Sequence, residues 1–222
     1  MSAVTEFYGR WAALYDRIAT APGVGRWRRA AAERVARPGD TVVEMGCGTG
    51  ANLPYLCERV GSDGRVVGVD VTRPLLERAR TRVAAHDNAE VVEGDATRPP
   101  VADADAVIAT FVCGMFESPA AVVDDWCDLV GPGGRIALMD ATASQKPWGR
   151  PLNPPFRAFT AASAPTGSVA DVVRAFAPRS DADALLSRRV AESREALVER
   201  AENRRFDEFA LGFVGLLSGT VR

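Results

Sequence analysis

Glu44, Gly46, Gly48 and Gly50 stand two apart in the run Thr-Val-Val-Glu-Met-Gly-Cys-Gly-Thr-Gly-Ala-Asn, residues 41–52, and that spacing can hold a ligand. Glycine accepts positive φ and carries no Cβ, so a turn rich in it lets backbone approach a bound molecule closely. Where a helix follows, its first amides lack partners and point outward as donors, which suits an anionic or hydroxyl-rich cofactor. Glu44 adds a carboxylate just before the first glycine. A buried strand has no use for an unpaired charge there, so Glu44 argues for a ligand that also bears a cation.

Two cofactor classes use such a turn. A dinucleotide site has Gly-x-Gly-x-x-Gly/Ala with an acid about 20 residues on, and Gly46, Gly48, Ala51 and Asp70 satisfy it. The pattern Asp/Glu-x-Gly-x-Gly-x-Gly makes Glu44 part of the site as well. S-adenosylmethionine brings an ammonium for that acid, whereas a nicotinamide dinucleotide brings a pyrophosphate that it would repel. An oxidoreductase would also need a hydride-site acid or a Tyr-x-x-x-Lys pair, and Lys146, the only lysine, has Thr142 four residues earlier. A domain that binds cofactor without turnover and works through partner contacts is the other alternative.

The elements that must position these residues alternate. Residues 41–45 are β-branched and apolar, and Leu53, Leu56, Cys57 and Val60 then recur at helical spacing. Further strands are expected at 65–70, 89–93, 105–112 and 135–140, with helices from about 72 and over 119–130. That alternation implies right-handed crossovers and a parallel sheet with its ligand at the carboxyl ends of the strands. Glu44, Asp70, Asp95 and Thr110 all fall at such ends. Upstream, Phe7, Trp11, Leu14 and Ile18 mark one face of a helix over 5–19, and 23–36 reads as a second. Downstream, six prolines interrupt residues 141–179 among Trp148, Phe156 and Phe159. We expect a substrate lid there, with short helices over 156–162 and 169–176. A charged helix over 180–201, with Leu186, Val190, Leu197 and Ala201 inward, leads to two strands at 205–211 and 213–221.

Glu44 to Gly50 resembles the first motif of class I S-adenosylmethionine-dependent methyltransferases, and three later segments are similar to that family in order. Val66-Val67-Gly68-Val69-Asp70 resembles the second motif, Glu93-Gly94-Asp95-Ala96 the third, and Leu129-Val130-Gly131-Pro132-Gly133-Gly134 the turn into the fifth strand. The resemblance covers roughly residues 40–140. It implies a Rossmann-like seven-stranded α/β sheet, mostly parallel with an antiparallel C-terminal hairpin, and helices on both faces. At 222 residues one domain is expected: a helical lid over 1–37, a cofactor core over 40–140, a substrate lid over 141–203 and a hairpin over 204–222. Asp70 would take both ribose hydroxyls and Asp95 the adenine amino group. Tyr15-Asp16 and Trp27-Arg28 resemble a lid segment of the ubiquinone/menaquinone-biosynthesis C-methyltransferases. The cofactor-binding set expected for S-adenosyl-L-methionine is therefore Tyr15, Glu44, Gly46, Cys47, Gly48, Gly50, Asn52, Asp70, Val71, Asp95, Ala96, Thr110 and Phe111.

Methyl transfer from a sulfonium needs mainly alignment and exclusion of water, with a base only where the acceptor must lose a proton. The one histidine, His86, lies away from the strand ends. Asp140 and Asp16 are better placed, though helix capping or an arginine partner would equally explain either. The acceptor expected from Trp11, Trp27, Trp148, Phe156 and Phe159 is a small hydrophobic or aromatic molecule: quinone-like, a lipid or an aromatic metabolite. Phe111 to Phe116 departs from the Gly-Leu-Arg-Asn of the quinone enzymes, so a phospholipid N-methyltransferase or a small-molecule O-methyltransferase also stays open. Arg26, Arg28 and Arg29 around Trp27 suit contact with an anionic membrane surface. A net charge of -2 offers no footprint for nucleic acid. The four cysteines have neither metal nor disulfide spacing and read as small buried hydrophobes of a cytoplasmic protein. No apolar run reaches the roughly 20 residues of a membrane span.

Overall fold

A computed structural model describes residues 23–162 and 181–222. The helix expected over 5–19, with Tyr15 and Asp16, and the one expected over 169–176 lie outside the described residues. In chain order the elements are α1 (Val24–Val35), β1 (Thr41–Met45), α2 (Leu53–Val60), β2 (Arg65–Asp70), α3 (Arg73–Val83), β3 (Ala89–Glu93), β4 (Ala106–Thr110), α4 (Pro119–Val130), β5 (Arg135–Ala141), α5 (Asn153–Ala162), α6 (Asp181–Arg200), β6 (Ala201–Phe209) and β7 (Val214–Val221).

The seven strands form one sheet in the order β3-β2-β1-β4-β5-β7-β6. The first five are parallel, and β7 runs antiparallel between β5 and β6. Side chains alternate across it. Val42, Val66, Ile108 and Met139 face α1, α2 and α3, while Val43, Val67, Val107 and Leu138 face α4 and α6. Each face has its own core, so β1 and β4 are apolar at nearly every position, as central parallel strands must be. The order reverses beside β1: chain direction carries β2 and β3 to one side and β4 and β5 to the other. The carboxyl ends of β1 and β4 therefore border the crevice where such sheets bind ligands.

Two boundaries differ from expectation. β4 stops at Thr110, because Phe111 adopts φ 61° and turns the chain. The C-terminal hairpin begins at Ala201, four residues earlier than its apolar content suggested, with a bulge between Glu202 and Arg205 where Asn203 takes φ 49°. β6 is an edge strand exposed along most of its length, and such a strand carries no alternating signal to mark its start.

Candidate functional site

Glu44 is 1% exposed at the end of β1. Its Oε1 accepts from Asn52 Nδ2, which also donates to Thr110 Oγ1 at 2.9 Å. Asn52 is the N-cap residue of α2 yet makes no cap hydrogen bond. Its side chain is diverted across the crevice, where its Oδ1 accepts from Arg28 Nη1 at 2.7 Å. Glu44 Oε2 is buried without a hydrogen-bond partner. Burial pushes the Glu44 carboxyl up to about 7, with Asn52 and the nearby Arg28 charge offsetting part of that and Asp70 adding to it. A buried carboxylate with one oxygen open is the acceptor that a ligand ammonium requires.

Arg28 is a residue that sequence reasoning misplaced. Arg26 and Arg29 are exposed, but Arg28 is 6% exposed and belongs to the interior of the site, so it cannot face a membrane. The signal was available in the helix phase: Arg28, Ala31, Ala32 and Val35 form the buried stripe of α1 at i, i+3, i+4 and i+7. Trp27 is half-buried, stacked on Phe209 with centroids 6.2 Å apart. Arg29 lies over the Tyr55 ring and pairs with Glu58.

The glycine turn is held from three sides. Gly46, Gly48 and Gly50 have φ of 67°, 54° and 73°. Cys47 N donates to Val69 O at 2.9 Å, tying the turn to β2. Arg82 from α3 donates through Nη1 to Thr49 O at 2.6 Å. Asp70 Oδ2 accepts the Gly48 amide at 2.9 Å while its Oδ1 accepts that of Thr72 at 2.8 Å. Burial raises the Asp70 carboxyl, and the Thr72 and Gly48 amides oppose the rise. Asp70 thus shapes the turn as well as standing at its mouth, with the Thr72 hydroxyl and the Val71 amide also turned to its carboxylate. A Cβ on Gly46 would sit 2.8 Å from Val112 Cγ2. Gly46→Ala, which adds that clash to positive φ, is expected to destabilise the fold by about 1–3 kcal/mol, measured by urea unfolding.

The remaining expected residues divide. Thr110 joins Glu44 and Asn52. Phe111 N extends the β4–β5 pairing to Met139 O at 2.7 Å, and the left-handed backbone at Phe111 then sends Val112 onto Gly46. Backbone in a sparsely populated region collects at ligand sites. Val71 is 48% exposed beyond Asp70. Asp95 is exposed and its Oδ1 accepts the Thr97 amide at 2.8 Å, so its carboxylate braces its own loop. Ala96 is buried, with its carbonyl taken by Trp126 Nε1 at 2.8 Å. Cys47 is buried, and burial raises its thiol well above the usual range, so it is packing rather than a nucleophile. His86 closes the turn into β3, at the opposite edge of the sheet from Glu44. Asp140 is 2% exposed; burial pushes it up to about 6, against the nearby Arg194 charge and the Cys113 amide and thiol. Among the described residues no His/Cys/Asp/Glu group could hold a metal, and no helix is long and apolar enough to cross a membrane.

Residues 42–134 match the family described as "Methyltransferase domain". The chain is 33% identical to a 2-phytyl-1,4-naphtoquinone methyltransferase of Thermosynechococcus vestitus over 65% of its own length and 67% of that protein's. It is 30% identical to a phosphatidylethanolamine N-methyltransferase of Cereibacter sphaeroides over 66% and 71%. Several other curated relatives are spanned over only 27% to 61% of their length. A crystal structure of a SAM-dependent methyltransferase from Aquifex aeolicus superposes with a TM-score of 0.58 at 18% identity, over 87% of this chain and 88% of that one, which is a likeness of fold.

Proposed function

Because the chain belongs to the class I S-adenosylmethionine-dependent methyltransferases, we propose that it transfers the methyl group of S-adenosyl-L-methionine to a small hydrophobic acceptor. The observation that carries this reading is the open oxygen of Glu44, a buried acceptor beside a glycine turn, which fits the ammonium of the cofactor's amino acid portion. Asp70, at the carboxyl end of β2 beside the glycine turn, is assigned to the ribose hydroxyls, and Asp95 with Ala96 to the adenine. Gly46, Cys47, Gly48 and Gly50 offer close backbone, Asn52 and Thr110 hold Glu44 in its rotamer, and Val71 and Phe111 flank the nucleoside. Tyr15 is assigned to the segment that covers it. When bound, the cofactor supplies an activated methyl group on a good leaving group, and the chain's own residues align it and keep water out.

The acceptor is taken to be a quinone-like ring, a lipid or an aromatic metabolite. Support comes from the relatives named for a naphtoquinone and for phosphatidylethanolamine, and from exposed apolar residues near β5 and β7, Trp148 at 64%, Leu152 at 47% and Leu211 at 49%. A cytoplasmic location with peripheral membrane contact fits such acceptors. Of the segments expected to cover the site, 1–37 and 141–203, α1 and α6 instead pack on the two faces of the sheet and residues 201–203 belong to β6, so the covers are assigned to the remainder of those two segments within a single domain. Incubation with methyl-labelled cofactor and fractionated lipids, followed by mass identification of the product, tests the reading. No labelled product, together with no calorimetric binding of S-adenosylmethionine, would sink it.

Asp70→Ala is expected to weaken S-adenosylmethionine binding by about 1.5–3 kcal/mol, the worth of charge-assisted hydrogen bonds to two hydroxyls. Calorimetric titration reads it, and an unchanged affinity would refute the ribose assignment.

A further inference from the structure

Two polar atoms on the α6 side of the sheet are buried without partners: Asp140 Oδ2 and Arg194 Nε. They belong to neighbouring positions. Asp140 pairs with Gly215 across β5 and β7, and Arg194 lies over Gly215, whose carbonyl accepts from Arg194 Nη2 at 3.3 Å. A Cβ on Gly215 would fall 2.7 Å from that same nitrogen, so only glycine lets the guanidinium settle there. The Arg194 charge is felt at Asp140, yet no contact within ion-pair distance joins them among the described residues. The guanidinium instead lies over the Phe206 ring.

An acceptor oxygen and a donor nitrogen, adjacent and unjoined, match a group that both gives and takes a hydrogen bond. Asp140 stands at the carboxyl end of β5, next to the Phe111 turn and on the same sheet edge as Glu44. Phe213, two residues before Gly215 in the chain, packs its ring on that of Phe156 with centroids 4.8 Å apart. We propose that Asp140 and Arg194 form the acceptor-oxygen site of the transfer, taking a hydroxyl carried on an aromatic or enolic ring, with Arg194 donating to the oxygen and Asp140 receiving its proton. This rests on the methyltransferase reading above and adds the chemical class of its acceptor.

The step balances. The hydroxyl O–H breaks and its proton passes to Asp140, leaving the acceptor electron-rich at that oxygen and at the adjoining ring carbon. One of those atoms forms the new bond to the methyl carbon, while the methyl–sulfur bond breaks with its electron pair kept by sulfur; where an aromatic carbon is methylated, its hydrogen then leaves as a proton to solvent and the oxygen takes back the proton held by Asp140. Arg194 balances the oxygen's charge until the bond forms.

The test uses the full chain and 4-nitrophenol, whose phenol and phenolate absorb at different wavelengths. Asp140→Asn is expected to raise the phenolate fraction of the bound probe severalfold at constant pH, and Arg194→Gln to lower it severalfold. Equal spectra in all three proteins, or a shift in the same direction in both variants, would overturn the proposal and leave the pair bridged by water only. Should Asp140→Asn fail to fold, Arg194→Lys decides alone: it keeps the charge but not the Nε donor, and is expected to lower bound phenolate. Titrating the same samples with S-adenosylmethionine separates the failures. Cofactor binding with unmoved probe spectra sinks only this site, whereas no cofactor binding in the unmutated chain sinks the methyltransferase reading itself.

Discussion

Glu44→Ala is expected to weaken S-adenosylmethionine binding by about thirtyfold or more, because removing one member of a buried hydrogen-bonded charge pair costs about 2–5 kcal/mol. The change also strips Asn52 of one of its two acceptors, leaving Thr110 and Arg28 to hold it. Glu44→Gln keeps the shape and separates charge from packing. The pH dependence gives a second reading. With its carboxyl pushed up to about 7 in the unliganded chain, Glu44 must lose a proton to receive an ammonium. Affinity should therefore rise by up to about tenfold per pH unit from 5 to 7, a range in which an α-amino group remains protonated. A proton should be released on binding, visible as a dependence of calorimetric heat on the buffer. Both effects should vanish in Glu44→Gln, and a flat profile in the unmutated chain would remove Glu44 from the site.

The same group sets the pH dependence of the unliganded fold. Its native pKa lies above the ordinary 4.5, so between those values the folded chain keeps a proton that the unfolded chain gives up. The contribution to stability is full below about 4.5 and is lost as pH rises through about 7, amounting to about 3 kcal/mol. Asp140, raised from 3.8 to about 6, acts in the same direction. Urea unfolding at pH 5 and pH 8 should show the decline, and Glu44→Gln should flatten most of it.

Trp126→Ala is expected to produce the largest loss of stability, about 4 kcal/mol or roughly 10 °C in Tm. Trp126 is fully buried on α4 and packs edge-on to Phe116 with centroids 5.7 Å apart. Its Nε1 is also the partner of the Ala96 carbonyl, so the loss reaches the loop assigned to adenine. Trp126→Phe keeps most of the volume and removes only the hydrogen bond. It should cost about 1–3 kcal/mol for the orphaned carbonyl, and it should weaken cofactor binding more than an equally destabilising change elsewhere in the α4–α6 core. If cofactor affinity follows stability alone in Trp126→Phe, the link from α4 to the Ala96 loop is absent.

Most of the sheet could be read from the chain because β1, β2, β4 and β5 are buried on both faces, and β1, β2 and β5 are entered from glycine turns. The hairpin start was less legible, since β6 at the edge takes polar residues at most positions. At the site, Glu44 announced itself by being a charge where burial demands none. Arg28 did not, because three neighbouring arginines look alike until the helix phase assigns one of them inward. Asn52 was named for the cofactor set, but its α2 N-cap position suggests a helix cap, and only the packed crevice shows its amide spanning Glu44, Thr110 and Arg28.

By itself the sequence determined the strand, the glycine turn and the acids at the strand tips, for these follow from local backbone freedom and from a hydrophobic period that reads over a few residues. Tertiary structure alone decided which lone pairs remain for a ligand. Asp70 gives one oxygen to Gly48, Asp95 turns to its own loop, and Glu44 and Asp140 each keep an oxygen open. The physical reason is range: hydrogen-bond partners 24 and 58 residues apart in the chain, and the loss of water that raises both buried carboxyls, exist only once the strands and helices have closed around them.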